Sequence, residues 1–143
     1  MKKFLIICLI LFSTILPTFA DKYDNPNYSR IEMMKGYEFA GKIKQTVKNK
    51  DIYSLANYVS YPIEIKTVCD AYGKNVKTTK ITSKTQFINL YKNKLFTDKF
   101  VKDVCNEDLF ANYRGFMLGR GEIWFGDEDT SGILKIFSIN ILN

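Results

Sequence analysis

Apolar side chains recur every three or four residues over positions 29–49, which predicts an amphipathic helix. The residues that share its apolar face are Met33, Tyr37, Ala40, Ile43 and Val47. Asp51 is a favourable N-cap for a second, short helix. That helix is expected to end at Tyr61-Pro62, because the residue before a proline avoids helical dihedral angles. The folded part of the chain is therefore predicted to begin with two helices.

The pattern then changes to that of strands, which are predicted at 62–69 and 76–82 with a turn between them. Ser83 and Gln86 fit a capping box, so a third helix should begin there. Positions 97–107 are predicted as a fourth, short helix, with Phe100, Val101 and Val104 on its inner face.

From Leu109 onward the chain is rich in aromatic and β-branched residues, which favour strands. The predicted strands are 109–113, 116–118, 122–125 and 133–141. Gly119-Arg120-Gly121 suits a tight hairpin, because glycine tolerates positive φ. Helices followed by a run of strands predict an α+β domain, with N-terminal helices packed on a curved antiparallel sheet that forms a cone.

The first twenty residues have the parts of a secretory signal peptide: two lysines, an apolar run, and small residues before a cleavage point. The run from Phe4 to Leu16 is shorter than the roughly 20 apolar residues of a membrane-spanning helix. We therefore predict cleavage of 1–20, a flexible mature N-terminus over 21–28 and one domain over 29–143. The protein would be periplasmic or secreted, with no stable membrane anchor.

The predicted mature chain has only a mild positive charge. The 21 basic residues include Lys2 and Lys3, so 19 remain against 15 acidic residues, a net charge of +4. No dense basic segment is present. This and the predicted export both argue against a nucleic-acid partner.

Two cysteines, Cys69 and Cys105, remain after the predicted cleavage. An oxidising compartment favours a disulfide between them, since their number is even. The alternative is a pair of buried free thiols.

Three segments resemble small exported bacterial proteins of the nuclear transport factor two superfamily, whose cone-shaped α+β fold is also called cystatin-like. They are VSYP at 59–62, GFMLGRGEIWF at 115–125 and KIFSIN at 135–140. The resemblance spans about 37–140 and implies the cone fold and export. It implies no activity, because the superfamily includes both enzymes and binding modules.

The chain contains no histidine. A Ser-His-Asp triad, a Cys-His pair and a histidine metal site are therefore excluded. Enzymes with the cone fold often place a carboxylate base near a tyrosine that donates to an oxyanion. The available candidates are Tyr61, Tyr91, Tyr113 and Glu122. We favour the alternative that the tyrosines are amphipathic core residues with their hydroxyls at the rim.

Asp127, Asp129 and Ser131 alternate as the first oxygen ligands of a calcium loop do, and Gly132 occupies the position of the sharp turn. Ser138 stands where the bidentate glutamate should be, and the flanking segments read as strands. A polar hairpin is therefore favoured over a cation site, and no metal or cofactor is expected.

Trp124 lies between Ile123 and Phe125, and strand alternation places it on the opposite face from both. Either Trp124 lies inside the cone and its neighbours pack outside, or the reverse holds. Core packing is the default, but Met117 and Trp124 are also candidates for a ligand or partner surface. Such a surface would suit a homodimer or another partner.

These observations favour an exported, non-catalytic binding protein of the cell envelope. Its partner would be a small apolar ligand or an envelope protein. A more specific version of this hypothesis is that the chain itself is an inhibitor or immunity protein. The alternative is a histidine-free isomerase or dehydratase that uses a carboxylate and a tyrosine in the cone.

Overall fold

The computed structural model describes residues 21–68 and 75–142. The predicted signal peptide at 1–20 lies outside the described residues. The described chain forms four helices: α1 (Arg30–Lys48), α2 (Ile52–Tyr58), α3 (Lys84–Tyr91) and α4 (Asp98–Asn106). It also forms six strands: β1 (Val59–Val68), β2 (Val76–Ile81), β3 (Phe110–Asn112), β4 (Gly115–Leu118), β5 (Ile123–Gly126) and β6 (Lys135–Leu142). The predicted α+β class is confirmed.

Side chains at the first turns explain where the N-terminal helices begin. Ser29 and Glu32 form a reciprocal capping box at the start of α1. Asp51 accepts hydrogen bonds from the backbone N–H groups of Tyr53 and Ser54, both at 3.1 Å, at the start of α2. These bonds satisfy donors that have no partner inside the helix. The N-cap predicted at Asp51 is thus confirmed.

The strands form one sheet in the order β2-β1-β6-β5-β4-β3. The central strands β1 and β6 pair in parallel, with Ile65 opposite Ile139, and the other neighbours pair antiparallel. The prediction of a wholly antiparallel sheet is therefore wrong, because the sheet is mixed. Alternation along a strand determines which side chains share a face. It does not show whether a partner strand that is distant in sequence runs parallel or antiparallel.

Strand β1 begins at Val59, three residues before the predicted start at Pro62. Its pairing with β6 is irregular between Val59 and Glu64, and Pro62 lies inside this interruption. Proline has no N–H to donate to a ladder, so an irregular stretch accommodates it at little cost.

The helices cover one face of the sheet, and the space between them is filled by phenylalanine and branched aliphatic side chains. The largest fully buried ones include Phe87, Phe100, Phe116, Phe125, Ile63, Ile65, Leu95 and Leu118. None of the described helices is long and apolar enough to cross a membrane.

Residues 21–28, predicted as a flexible terminus, lie against the edge strand β3. The Asn25 amide donates to the Ala111 carbonyl at 3.2 Å, and the Tyr28 hydroxyl donates to the Asn112 carbonyl at 2.9 Å. The Tyr28 ring stacks on Phe116, with the ring centroids 4.6 Å apart.

Candidate functional site

A row of directly paired residues crosses all six strands on the face opposite to the core. Its members are Phe110 on β3, Met117 on β4, Trp124 on β5, Ser138 on β6, Glu64 on β1 and Lys80 on β2. Residues directly opposite each other on neighbouring strands point to the same side of the sheet. We call these six residues the open-face row.

The burial pattern of β4 and β5 decides between the two orientations left open for Trp124. Ile123 and Phe125 are fully buried in the core, and Trp124 between them is partly exposed. Met117 pairs with Trp124 and is also partly exposed. Neither side chain belongs to the core cluster or packs against it. The default expectation of core packing for Trp124 is therefore wrong.

Phe110 and Phe137 extend the apolar part of this face on either side. Phe110 is 50% exposed at the edge of the sheet. The Phe137 ring lies over Gly115 and Gly126, where an added Cβ would come within 3.2 and 3.3 Å of its Cε1. These glycines stand two residues from Met117 and Trp124 along their strands, so they share the open face. The sequence prediction missed Phe137, although the paired glycines were an available signal.

The open-face row changes character along its length. The part on β3 to β5 is apolar, whereas the part on β6, β1 and β2 consists of Ser138, Glu64 and Lys80. Glu64 and Lys80 are exposed and directly opposite each other. The open face is therefore an apolar patch with a charged margin.

Glu122 lies in the interior beside α4, away from solvent. One carboxylate oxygen, Oε2, accepts a hydrogen bond from the Arg120 N–H. The other, Oε1, is buried and has no hydrogen-bond partner among the described residues. The Lys99 ammonium lies 3.9 Å from Oε1 and 2.9 Å from Oδ2 of Asp103. Two buried carboxyl groups thus face one lysine.

The two carboxyl groups respond to this environment in opposite ways. Burial raises the pKa of Glu122 above its usual range, and the adjacent Asp103 raises it further. The hydrogen bond from Lys99 lowers the pKa of Asp103. Since like charges this close disfavour joint ionisation, Glu122 is the harder of the two carboxyl groups to ionise. Arg120, which also pairs with Glu107 at 3.3 Å, adds positive charge on the outer side.

Asp103 was missed as a member of this cluster. It stands three residues after Phe100 and directly before Val104, on the buried stripe of α4. A charged residue on an inward stripe was the signal that sequence reasoning had available, because buried charges are almost always paired.

The three candidate tyrosines do not join Glu122. The Tyr61 hydroxyl donates to the Ala56 carbonyl at 3.2 Å, and burial raises the pKa of Tyr61 to about 12. Tyr61 and Tyr91 both pack against Phe87. Tyr113 is 76% exposed in the turn between β3 and β4. No hydrogen bond within the described part of the chain connects Glu122 to a tyrosine, so the predicted carboxylate–tyrosine pair is not assembled.

Two of the surface clefts contain candidate residues. The first, of about 500 Å³, lies between the start of α1 and the β3–β4 and β5–β6 turns, and Tyr113 and Asp127 line it. The second, of about 390 Å³, lies beside the ends of β1 and β2, and Tyr91 lines it. Glu122 lines neither cleft, so a substrate in either one would not reach this carboxylate.

The acidic turn after β5 uses its oxygens internally. Asp127 accepts from the Gly132 N–H at 2.7 Å, and Asp129 accepts from the Ser131 N–H at 3.2 Å. The Ser131 hydroxyl donates to Asp127 at 3.5 Å. The residues that the structure describes contain no group of three or more His, Cys, Asp or Glu placed to hold a metal ion.

Cys105 is half-buried between α4 and α1, and its Sγ lies 3.6 Å from the Lys44 carbonyl oxygen. Cys105 forms no disulfide with a described residue, and burial raises the pKa of its thiol. Cys69 lies outside the described residues, so the disulfide between Cys69 and Cys105 stays a prediction. The mass of the protein with and without reductant tests it.

Comparison of the chain with protein-family models, curated proteins and solved structures finds no match. The resemblance to the nuclear transport factor two superfamily therefore stays a prediction.

Proposed function

We propose that this chain is an exported, non-catalytic binding protein that holds a protein partner on the open face of its sheet. The observation that carries this proposal is the uninterrupted apolar run of Phe110, Met117 and Trp124, three directly paired residues outside the core. Aromatic residues and methionine are enriched where proteins bind each other, because they remove much apolar surface from water.

The shape of this surface favours a protein over a small apolar ligand. Small molecules bind in concave sites that enclose most of their surface. The open-face row instead runs across six strands, which spans about 24 Å at the usual strand spacing. A footprint of this width is compatible with the roughly 800 Å² per partner of a standard protein interface.

The charged margin indicates how a partner would be selected. An apolar group of the partner would pack on Met117 and Trp124, while polar groups at its rim would meet Glu64 and Lys80. Such rim charges contribute more to specificity and association rate than to affinity. An inhibitor or immunity protein that neutralises an enzyme or toxin of the cell envelope is the sharper form of this proposal.

The alternative of a histidine-free isomerase or dehydratase has less support. It needs a carboxylate that a substrate can reach, whereas Glu122 is fully buried. It also needs a tyrosine hydroxyl near that carboxylate, and the Tyr61 hydroxyl is engaged by a backbone carbonyl.

The test uses tagged protein and envelope extract, with a paired set of variants. Wild type and Tyr113→Lys, which changes an exposed aromatic residue elsewhere, should recover the same partner. Met117→Lys and Trp124→Lys should lose it, because each places a charge in the middle of the apolar run. Equal recovery by all four proteins would refute the open face as the binding site. Recovery of only a second copy of the chain would replace the envelope partner with a homodimer.

The export part of the proposal is tested separately. The mass of the protein recovered from its native cells should correspond to a chain that begins at Asp21. An intact N-terminus on protein found inside the cytosol would contradict export without affecting the argument about the open face.

A further inference from the structure

The second cleft, of about 390 Å³, has a floor formed by three strands. Lys77 on β2 is directly opposite Thr67 on β1, and Thr67 is directly opposite Ile141 on β6. Directly paired residues share one side of a sheet and lie about 5 Å apart. Ile141 is buried, so this row belongs to the core side and the cleft lies where the core opens at one end of the sheet.

The wall of this cleft contains a buried tyrosine with an available hydroxyl. Tyr91, the last residue of α3, is 7% exposed, and its ring stacks on Phe87 at 5.9 Å. Its hydroxyl has no hydrogen-bond partner within the described part of the chain, although the residue lines the cleft. The polar end of a tyrosine normally finds a partner, so this hydroxyl is available to donate to a ligand in the cleft that Tyr91 lines.

The charged side chains that line this cleft among the described residues are all basic. Lys77 and Lys94 line it, and no acidic side chain of the described residues does. The first cleft is different, because Glu32, Asp127 and Glu128 line it together with its basic residues. Positive charge lining a concave site attracts anions.

The same cleft has an apolar side. Leu90 is 41% exposed on α3, and Ile141 forms part of the floor. An exposed leucine beside a basic site suits a ligand that combines an anionic group with a hydrocarbon part. The volume lies at the lower end of the range of ligand sites, about 300 to 1,000 Å³.

We propose that the second cleft binds a small amphipathic anion, a carboxylate or phosphate carried on a short hydrocarbon chain. The anionic group lies between Lys77 and Lys94 and accepts a hydrogen bond from the Tyr91 hydroxyl. The hydrocarbon part packs on Leu90 and Ile141. This site is on the core side of the sheet, so it is independent of the open-face row and its proposed partner.

The experiment titrates the purified protein with octanoate and with octyl phosphate, and follows binding by calorimetry and by backbone amide chemical shifts. Saturable binding of at least one probe with a Kd below about 1 mM is expected. The relative affinity of the two probes identifies the preferred head group. Octanol and inorganic phosphate, which each carry half of the ligand chemistry, should bind at least tenfold more weakly.

Three variants and a matched control locate the site. Tyr91→Phe keeps the ring on Phe87 and removes the hydroxyl, and should weaken binding about tenfold, the usual effect of one hydrogen bond to a charged group. Lys77→Gln and Lys94→Gln should each weaken it about threefold, since exposed charges are partly screened. Lys80→Gln lies on the same strand but faces Glu64 on the opposite side, and should leave the affinity unchanged.

Several results would overturn the proposal. One is the absence of saturable binding of either probe. Another is equal binding of octanol, which would show that the anionic group contributes nothing. A loss of affinity in Lys80→Gln as large as in Lys77→Gln would show that only overall charge attracts the probe. Lys77 is exposed and its replacement leaves the core intact, so this comparison stays informative even if Tyr91→Phe folds poorly.

Discussion

The β4–β5 hairpin has two faces with opposite roles, although one continuous stretch of sequence supplies both. On the core face the rings of Phe116 and Phe125 stack with centroids 5.2 Å apart, and both are nearly or fully buried. On the open face Met117 and Trp124 pair directly but remain partly exposed. Residues of similar hydrophobicity therefore stabilise the fold at one position and form an available surface at the next.

Hydrophobicity alone therefore does not assign a role to a residue in this protein. A substitution on the core face should change the free energy of unfolding. A substitution on the open face should change binding and leave the fold intact. Substitutions on the core face and on the open face test this difference in role.

The largest effect is expected for Phe125→Ala. Removing a fully buried ring loses its transfer free energy and leaves a cavity, which should lower the free energy of unfolding by about 3–5 kcal/mol. Urea denaturation measures this value. Trp124→Ala, one residue earlier on the other face, is the matched control and should cost about 1 kcal/mol. Equal costs would show that the open face is packed like the core.

A second contrast lies under the core face, where α1 approaches the hairpin. A methyl group at Gly36 would overlap the Phe116 ring, with its Cβ 2.7 Å from Cζ, whereas Gly41 has nothing within 4 Å. Gly36→Ala should therefore destabilise the protein by about 1–3 kcal/mol through overpacking.

Gly41→Ala on the same helix is the control, and should stabilise the protein by about 0.5–1 kcal/mol, because alanine favours the helix. Thermal unfolding of both variants measures the difference. A gain of stability at both positions would contradict the close packing of α1 on Phe116.

The third prediction concerns the buried pair of Glu122 and Asp103. Glu122 has a raised pKa in the folded state, so its contribution is complete below its unfolded-state pKa and is lost as the pH rises through the folded-state value. Glu122→Gln stays neutral. Its free energy of unfolding should therefore rise relative to that of wild type as the pH rises from acidic to mildly basic.

Asp103→Asn should show the opposite trend. The pKa of Asp103 is lowered, so its contribution is present above its unfolded-state pKa and is lost as the pH falls through the folded-state value. The cost of the substitution should thus be largest at neutral pH and shrink in acid. Urea denaturation over a pH series measures both variants, and parallel curves for the two would contradict the opposite pKa shifts of Glu122 and Asp103.

The smallest effect is expected for Met117→Gln on the open face. The change replaces an apolar side chain outside the core by a polar one of similar length, so the free energy of unfolding should shift by about 0.5 kcal/mol or less. Chemical denaturation checks this value. A loss of several kcal/mol would place Met117 in the fold rather than on a binding surface.

Local features of the fold were predictable from the sequence because their causes are local. The Asp51 cap depends on hydrogen bonds to residues two and three positions away, and it forms as predicted. The box at Ser83 forms only in part. Ser83 accepts from the Gln86 N–H, but the Gln86 side chain accepts from Thr82 instead of Ser83. The sequence pattern alone cannot show whether the Gln86 side chain will accept from the backbone of Ser83 or from that of Thr82.

Contacts between distant segments were not predictable in the same way. Alternation placed Ile123 and Phe125 on one face and Trp124 on the other, but it did not say which face the helices cover. The parallel pairing of β1 with β6 and the approach of Asp103 to Glu122 depend on how whole elements pack. The candidate tyrosines and Glu122 are residue types that could act together in catalysis. The fold does not bring them into contact.

The position of β6 has a consequence for how the sheet closes. This strand follows the others along the described chain, yet it lies between β1 and β5 and joins β2-β1 to β5-β4-β3. Until it is in place, the two halves share no strand pairing within the described sheet. Such late, long-range closure slows folding. A chain that is still passing through a narrow channel would therefore lack the complete sheet until β6 has emerged.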